Sequence, residues 1–233
     1  MTDETAREEI DFLASNSAGR VSGIVLRPPR PSSFLVLAHG AGAGMRHPFL
    51  EGLAARLAAR EVATLRWQFP YVEKGSRRPD PQPVLLAAVR SAAATGRELA
   101  GGLPLFAGGK SMGGRMTSLA SSKQPLEGVR GLVFFGFPLH PAGKPSAERA
   151  AHLGDVLAPM LFLQGTRDTL ADLARLRPVC ERLGARASLR IFEDADHSFH
   201  VRKSSGRDDD AVLTEVADVA ADWMRRVAAE AAA

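Results

Sequence analysis

The order of apolar segments along the chain predicts an α/β fold, with a mostly parallel sheet and helices on both of its faces. Short apolar runs alternate with longer segments whose apolar residues recur at helical spacing. Some runs, such as residues 34–38, are apolar throughout, which is typical of a strand buried on both faces of a parallel sheet. No internal repeat or linker interrupts this alternation, so we expect a single domain spanning residues 1–233.

The same patterns place the individual elements. The expected strands, each a short apolar run, are residues 21–26, 34–38, 62–67, 105–107, 132–135, 160–163 and 188–192. The expected helices, each with an apolar side, are residues 48–60, 84–99, 116–122, 170–183 and 211–229. Residues 68–83 are rich in Pro, Gly and charge and are expected to form a loop. We expect residues 1–15 and 228–233 to be flexible.

Composition narrows the class of protein. The net charge is +4, but the Lys and Arg residues are scattered along the chain, so no nucleic-acid partner is expected. No apolar run is long enough to span a bilayer, and the first residues lack the pattern of a secretory signal. With Cys180 as the single cysteine, no disulfide forms within the chain. These features favour a soluble cytoplasmic protein without a membrane partner.

The segment Gly109-Lys110-Ser111-Met112-Gly113 fits the G-x-S-x-G pattern of a nucleophile elbow. In such an elbow a sharp turn between a strand and a helix projects the serine hydroxyl above the sheet. Side chains two positions before and after the serine would clash, so glycines are needed there. A phosphate-binding loop is the competing interpretation, but it requires glycine at the position of Pro104. The apolar strand before the pattern and the helix after it also favour the elbow.

A serine nucleophile needs a histidine base and an acid that fixes the histidine tautomer. In chain order, the acid and then the histidine should each follow a strand at the carboxyl edge of the sheet. Asp168 follows the strand at residues 160–163, and His197 follows the last strand. We prefer Asp168 to Asp172, which falls within the next predicted helix. No spacing of Cys, His or carboxylates suggests a metal site, and no cofactor is expected.

Two backbone N–H groups are candidates for an oxyanion hole. One belongs to Met112, which follows the nucleophile at a helix N-terminus. The other lies in the glycine-rich segment after residues 34–38, with Ala41 as first choice and Gly42 as second. We expect His39 to brace this segment and to take no part in the chemistry.

Five side chains are candidates for contact with a substrate: Phe69, Tyr71, His140, Lys110 and Arg115. For Phe69 and Tyr71, a place in the pocket wall and ordinary packing are equally good interpretations. Arg115 lies four residues after Ser111 on the same helix face, where an ion pair with an acidic partner is the preferred interpretation. Recognition of a carboxylate or phosphate on the substrate is the alternative. The short stretch between residues 136 and 160 leaves no room for a large lid domain.

Four segments, HGAGAG, GKSMGG, QGTRD and DADHSF, occur in this order along the chain. Together they resemble the small α/β-hydrolases of the dienelactone-hydrolase-like group. Within it, the sequence is similar to a branch that carries Gly-Lys-Ser-Met-Gly-Gly-Arg, with animal relatives among testis-expressed proteins and chromatin-complex subunits. The resemblance spans residues 21–223 and implies the α/β-hydrolase fold and the triad Ser111, Asp168 and His197. Dienelactone hydrolases themselves use a cysteine where this chain has Ser111, which argues against dienelactone as the substrate.

These observations predict a serine hydrolase, carboxylesterase-like, that cleaves an ester or related acyl bond of a small molecule. A peptidase or a thioesterase would use the same residues, so both remain open. A non-catalytic binding or scaffold protein that retains the fold is the alternative from another class. The sequence does not predict the oligomeric state.

Overall fold

The computed structural model describes residues 4–230. Its strands are β1 (Ala6–Ser15), β2 (Gly19–Arg27), β3 (Ser33–Ala38), β4 (Val62–Trp67), β5 (Leu105–Lys110), β6 (Val129–Phe135), β7 (Met160–Gly165) and β8 (Ala187–Phe192). Its helices are α1 (Pro48–Ala58), α2 (Pro70–Glu73), α3 (Gln82–Ala100), α4 (Met112–Lys123), α5 (Leu173–Leu183) and α6 (Asp209–Glu230). Short 3₁₀ segments cover Glu148–Asp155, Gly184–Arg186 and Lys203–Ser205.

The strands form one sheet in the order β1-β2-β4-β3-β5-β6-β7-β8. The pairs β1/β2 and β2/β4 are antiparallel, and every other neighbouring pair is parallel. This topology confirms the predicted α/β fold. It also brings the carboxyl ends of β3, β5, β6, β7 and β8 to one edge, where the loops that carry Ser111, Asp168 and His197 begin.

Helices cover both faces of the sheet, and successive residues of a strand contribute to opposite sides. In β3, Phe34 and Val36 pack into the apolar cluster with α3, α4 and α5, while Leu35 and Leu37 pack into the cluster with α1 and α6. All six residues of β3 are buried. The unbroken apolar runs in the sequence are therefore strands covered on both faces, as predicted.

The connection from β6 to β7 contains only the 3₁₀ segment Glu148–Asp155. Within residues 4–230 there is no inserted lid domain, which confirms that prediction. None of the helices in these residues is both long enough and apolar enough to cross a membrane.

The structure differs from the expectation of flexible ends. Residues 6–15 form β1, which pairs with β2 along its whole length, and Phe12 packs edge-on against Trp67 with ring centroids 6.3 Å apart. Residues 228–230 continue α6. Residues 1–3 and 231–233 lie outside the described part of the chain, so flexibility there stays a prediction. The pattern of β1 is obscured in the sequence because charged residues interrupt its apolar ones; Glu9 pairs with Arg46 and Asp11 with Arg20.

Helix α3 lies directly against β3 at Gly96. A Cβ atom built on Gly96 would lie 2.2 Å from Cγ2 of Val36, far inside van der Waals contact. The glycine therefore sets how closely α3 approaches β3, a strand of the parallel part of the sheet.

We expect Gly96→Ala to lower the free energy of unfolding by about 1–3 kcal/mol, because the added methyl group overpacks the contact with Val36. In an exposed helix the same change would stabilise by about 1 kcal/mol. Urea unfolding of the variant measures the sign. Gly154→Ala is the matched control, since no atom lies within 4 Å of its Cβ position. Stabilisation by Gly96→Ala would show that the contact with Val36 does not limit how closely α3 approaches β3.

Candidate active site

Ser111 occupies the turn between β5 and α4 with φ 52° and ψ −117°. A positive φ strains a residue that carries a side chain, and such strain is concentrated at functional sites. Two backbone hydrogen bonds hold the turn: the Ser111 N–H donates to the Phe135 carbonyl at 3.2 Å, and the Arg115 N–H donates to the Ser111 carbonyl at 3.1 Å. The strand, strained turn and helix are those expected of a nucleophile elbow.

The glycines on either side of Ser111 lie against the end of β3. Cβ atoms built on Gly109 and Gly113 would lie 2.4 and 2.5 Å from the Ala38 carbonyl oxygen. No side chain fits at either position without moving β3. The spacing of glycines in the motif therefore follows from backbone packing in this chain.

The structure brings Ser111, His197 and Asp168 together in one hydrogen-bonded chain. His197 Nε2 lies 2.8 Å from Ser111 Oγ, and His197 Nδ1 lies 2.7 Å from Asp168 Oδ2. A carboxylate that accepts from Nδ1–H leaves Nε2 as the acceptor for the serine O–H. This arrangement suits proton transfer from the serine to the histidine.

Asp168 is held by a residue that sequence reasoning missed. Its side chain is fully buried; Oδ1 accepts from the Leu170 N–H at 2.8 Å, and Oδ2 also accepts from the side-chain amide of Gln164. The Gln164 amide oxygen in turn accepts from the Phe137 N–H at 3.0 Å. Gln164 thus ties the loop after β6 to the carboxylate. Its signal in the sequence is a single polar residue in the otherwise apolar run of β7.

Asp172, the competing acid, and two titratable neighbours of His197 are engaged elsewhere. Asp172 caps α5 by accepting from the Ala174 N–H at 2.9 Å. His200 is exposed, and its Nδ1 lies 2.8 Å from Asp209. Asp196 accepts from the backbone N–H groups of Ser198 and His200, which closes the turn that follows His197.

The loop after β3 runs beside Ser111, since a Cβ atom on Gly40 would lie 3.6 Å from Cβ of Ser111. Within the described chain the Ala41 N–H has no acceptor, whereas the Gly42 N–H donates to the Tyr71 hydroxyl at 3.2 Å. The second choice for the oxyanion hole, Gly42, is therefore corrected: its N–H is already used. Met112 is the first residue of α4, where an N–H has no acceptor within the helix.

His39 braces this loop from behind, as predicted. The ring is fully buried; Nε2 accepts from the Phe69 N–H at 3.0 Å, and Nδ1–H donates to the Gly40 carbonyl at 2.7 Å. Burial lowers the pKa of His39 to about 4. The neutral ring supplies one donor and one acceptor, so protonation would remove the acceptor for Phe69.

Two hollows open on either side of Ser111, and Ala41 and Leu170 line both of them. The first has a volume of about 330 Å³, and its further lining includes His47, Phe49, Leu50, Lys110 and His197. The second has a volume of about 430 Å³, and its further lining includes Leu85, Met112, Arg115, Met116, Pro138 and Arg149. The first is walled mainly by apolar groups around the histidine, and the second carries two guanidinium groups.

Lys110 lines the first hollow, but its ammonium group is turned to the protein. Nζ donates to the His197 carbonyl at 2.5 Å and lies over the rings of Phe49 and Phe199, 5.7 and 5.8 Å from their centroids. Burial lowers the pKa of Lys110 to about 8. The predicted substrate contact is therefore corrected: the Lys110 side chain anchors the loop that carries His197.

Three of the expected pocket residues are corrected, since Phe69, Tyr71 and His140 line neither hollow. All three are buried. Phe69 packs on Trp67 with centroids 4.4 Å apart, Tyr71 accepts from Gly42, and His140 Nδ1–H donates to the Pro141 carbonyl at 2.9 Å. These aromatic side chains pack beneath the loops at the carboxyl edge of the sheet and do not face either hollow.

The preferred interpretation of Arg115 is also corrected. It lines the second hollow, and within residues 4–230 it forms no ion pair. The same residues contain no group of three or more His, Cys, Asp or Glu side chains placed to hold a metal ion.

A family model described as the alpha/beta hydrolase domain matches residues 31–225. A dienelactone hydrolase from Anabaena variabilis superposes with a TM-score of 0.74 at 22% identity, covering 94% of this chain and 98% of that one.

Two further structures are similar over most of their length. An alpha-beta serine hydrolase homologue from Coxiella burnetii has a TM-score of 0.69 at 20% identity, covering 93% of this chain and 96% of that one. A serine hydrolase without a lid from Xanthomonas campestris has a TM-score of 0.66 at 20% identity, covering 92% and 94%. At these identities the likeness shows the fold.

We expect the free energy of unfolding to fall as the pH is lowered from 6.5 to 4, in part because of His39. The unfolded chain takes up a proton at the ordinary pKa of 6.5, and the folded protein does so only near 4. His39→Gln keeps a donor and an acceptor but does not titrate. Between pH 6.5 and 4 its free energy of unfolding should therefore fall by about 1–3 kcal/mol less than that of the wild type. Denaturant unfolding across this pH range measures the difference.

His152 provides an independent second test of the same kind. Burial also lowers the pKa of His152 to about 4, and its Nε2 lies 2.7 Å from the Ser118 hydroxyl of α4. His152→Gln should flatten the profile separately, and the two effects should add. An unchanged slope in His39→Gln would mean that His39 does not stay neutral in the folded protein.

Proposed function

This chain belongs to the alpha/beta hydrolase domain family, and on that premise we propose that it is a serine hydrolase that cleaves an ester or related acyl bond of a small molecule. The hydrogen-bonded chain from Ser111 through His197 to Asp168 carries the proposal. The strained backbone at Ser111 adds support, because a fold retained only for binding has no need to hold a serine at positive φ.

In the first step, Ser111 Oγ attacks the carbonyl carbon of the substrate while its proton passes to His197 Nε2. The buried carboxylate of Asp168 stabilises the imidazolium that forms. The carbonyl oxygen becomes an oxyanion, which accepts hydrogen bonds from the N–H groups of Met112 and Ala41. Both donors are fixed before the substrate arrives, Met112 by α4 and the loop of Ala41 by His39.

In the second step, the tetrahedral intermediate collapses: the bond from the carbonyl carbon to the leaving group breaks, and the leaving group takes the proton from His197. The acyl group remains bound to Ser111 Oγ. Water then gives a proton to His197 and attacks the acyl carbon, and the acid leaves as Ser111 regains its proton. Because His197 lines the first hollow, the leaving group departs on that side.

The dienelactone-hydrolase-like resemblance does not decide among esters, thioesters and amides, since all three react through the same groups. Covalent labelling with a fluorophosphonate probe separates any serine hydrolase from a scaffold protein. We expect stoichiometric labelling at Ser111. A protein that is folded yet unlabelled would contradict the proposal.

We expect Ser111→Ala to reduce ester hydrolysis by on the order of a thousandfold or more, because no other group forms the acyl-enzyme. Rates on p-nitrophenyl acetate and butyrate, together with thermal unfolding, measure activity and folding separately. Ser122→Ala is the matched control, since Ser122 lies at the other end of α4 and its hydroxyl donates only to the Leu119 carbonyl. Equal rates for Ser111→Ala and wild type would refute the assignment of the nucleophile.

We expect Asp168→Asn to lower kcat by about 10³–10⁴, because an amide that donates to Nδ1 forces the proton onto Nε2 and removes the acceptor for Ser111. Asp172→Asn is the control, since asparagine caps a helix as well as aspartate does. Steady-state rates of the two variants give the comparison. A larger fall in kcat for Asp172→Asn than for Asp168→Asn would show that Asp168 is not the acid of the triad.

A further inference from the structure

The second hollow holds two arginines to which the described part of the chain offers no partner. Arg115 projects from α4, and Arg149 lies in the 3₁₀ segment between β6 and β7. Both are half-buried. Within the described residues, neither guanidinium donates a hydrogen bond or forms an ion pair.

This lack of partners sets the pair apart. Every other buried or half-buried arginine in residues 4–230 donates to a protein oxygen: Arg27, Arg56, Arg60, Arg66, Arg90, Arg167, Arg186 and Arg207. A half-buried guanidinium without an acceptor costs free energy, since part of its hydration is lost and nothing replaces it. The two exceptions both line the second hollow, beside Ser111.

The charges in this hollow leave it net positive. Burial and the neighbouring charge of Arg149 lower the pKa of Arg115. Each guanidinium therefore raises the free energy needed to keep the other one charged. Asp80 also lines the hollow, but in the part of the chain that the structure describes it pairs with neither arginine, and its Oδ2 is buried without a donor. A single carboxylate opposes two guanidinium groups, and an anion bound there would supply the acceptors that they lack.

The two hollows hold different parts of the substrate, the leaving group in the first and the acyl group in the second. The leaving group must reach the proton on His197 and therefore lies in the first hollow. The acyl group then extends across Ser111, past the oxyanion donor Met112, into the second hollow. The floor there is apolar, formed by Leu85, Met116 and Pro138, which suits a short methylene chain that ends in a charge.

We propose that the second hollow binds an anionic group, a carboxylate or a phosphate, carried on the acyl portion of the substrate, with Arg115 and Arg149 as its ligands. This inference rests on the hydrolase activity proposed above. The substrates are thus esters of short diacids, or of acids that end in a phosphoryl group, with an uncharged alcohol as the leaving group.

Three esters of matched length test the proposal: methyl pentanoate, monomethyl glutarate and methyl 4-phosphonobutanoate, which end in a methyl, a carboxylate and a phosphonate group. Acid release is followed by titration at constant pH. We expect kcat/KM for at least one charged ester to exceed that for methyl pentanoate by about tenfold or more. Comparison of the two charged esters identifies the anion. Equal or faster hydrolysis of methyl pentanoate than of both charged esters would overturn the proposal.

Variants of the hollow give changes of opposite sign. Arg115→Gln and Arg149→Gln should each lower the ratio of kcat/KM for the preferred charged ester to that for methyl pentanoate by about tenfold. Asp80→Asn should raise this ratio, because it removes a negative charge. Arg225→Gln, at an exposed arginine of α6, should leave the ratio unchanged. If neither change at Arg115 nor at Arg149 lowers the ratio in a folded variant, the arginines do not bind the substrate.

Failure of this inference is distinguishable from failure of the proposed function. A protein that reacts with fluorophosphonate at Ser111 and hydrolyses methyl pentanoate, but without preference for either charged ester, is a hydrolase without the anion site. A protein that is neither labelled nor active on any ester fails at the level of the proposed function. Thermal unfolding of each variant separates loss of binding from loss of folding. Because Arg115 and Arg149 lie on different elements, a variant at one position gives an independent test of the conclusion drawn from the other.

Discussion

The close contact between the Ala38 carbonyl at the end of β3 and the turn around Ser111 is the constraint from which the rest of the site follows. Because only glycine fits at positions 109 and 113, the turn between β5 and α4 packs directly on the backbone of its neighbour. The loop that begins at His39 therefore starts beside Ser111. One backbone contact thus places both Ser111 Oγ, which we propose attacks the substrate, and the N–H groups that we propose as oxyanion donors.

The loops that carry Asp168 and His197 are held by polar side chains in a mostly apolar setting. Gln164 joins the loop after β6 to the carboxylate, and Lys110 joins the first turn of the elbow to the backbone of His197. Each of these buried groups has its hydrogen-bond partner, so each adds rigidity as well as satisfying its own polarity. Within residues 4–230 the arginines of the second hollow lack such partners, and for this reason we propose that they face a ligand.

Much of this architecture is predictable from the sequence, and the failures have physical causes. The buried parallel strands and the elbow depend on local patterns, and the places of Asp168 and His197 follow from chain order. Strand β1 was missed because its charged residues hide the alternation that packs Phe12 inward. The burial of Phe69, Tyr71 and His140 depends on neighbours distant in the chain, as does the use of the Gly42 N–H by Tyr71. No local pattern distinguishes an aromatic residue beneath a loop from one that lines a pocket.

The hairpin of β1 and β2 has a further consequence for the protein at high concentration. Strand β1 is the outermost strand on one side, so one row of its backbone N–H and C=O groups has no neighbour in the sheet. Such an edge is a template for aggregation, but along β1 the residues Arg7, Glu8, Glu9 and Asp11 carry charge. A foreign strand that paired there would strip water from these groups, which penalises edge-to-edge polymerisation. The acidic, basic and polar residues that hid the strand in the sequence also protect it from self-association.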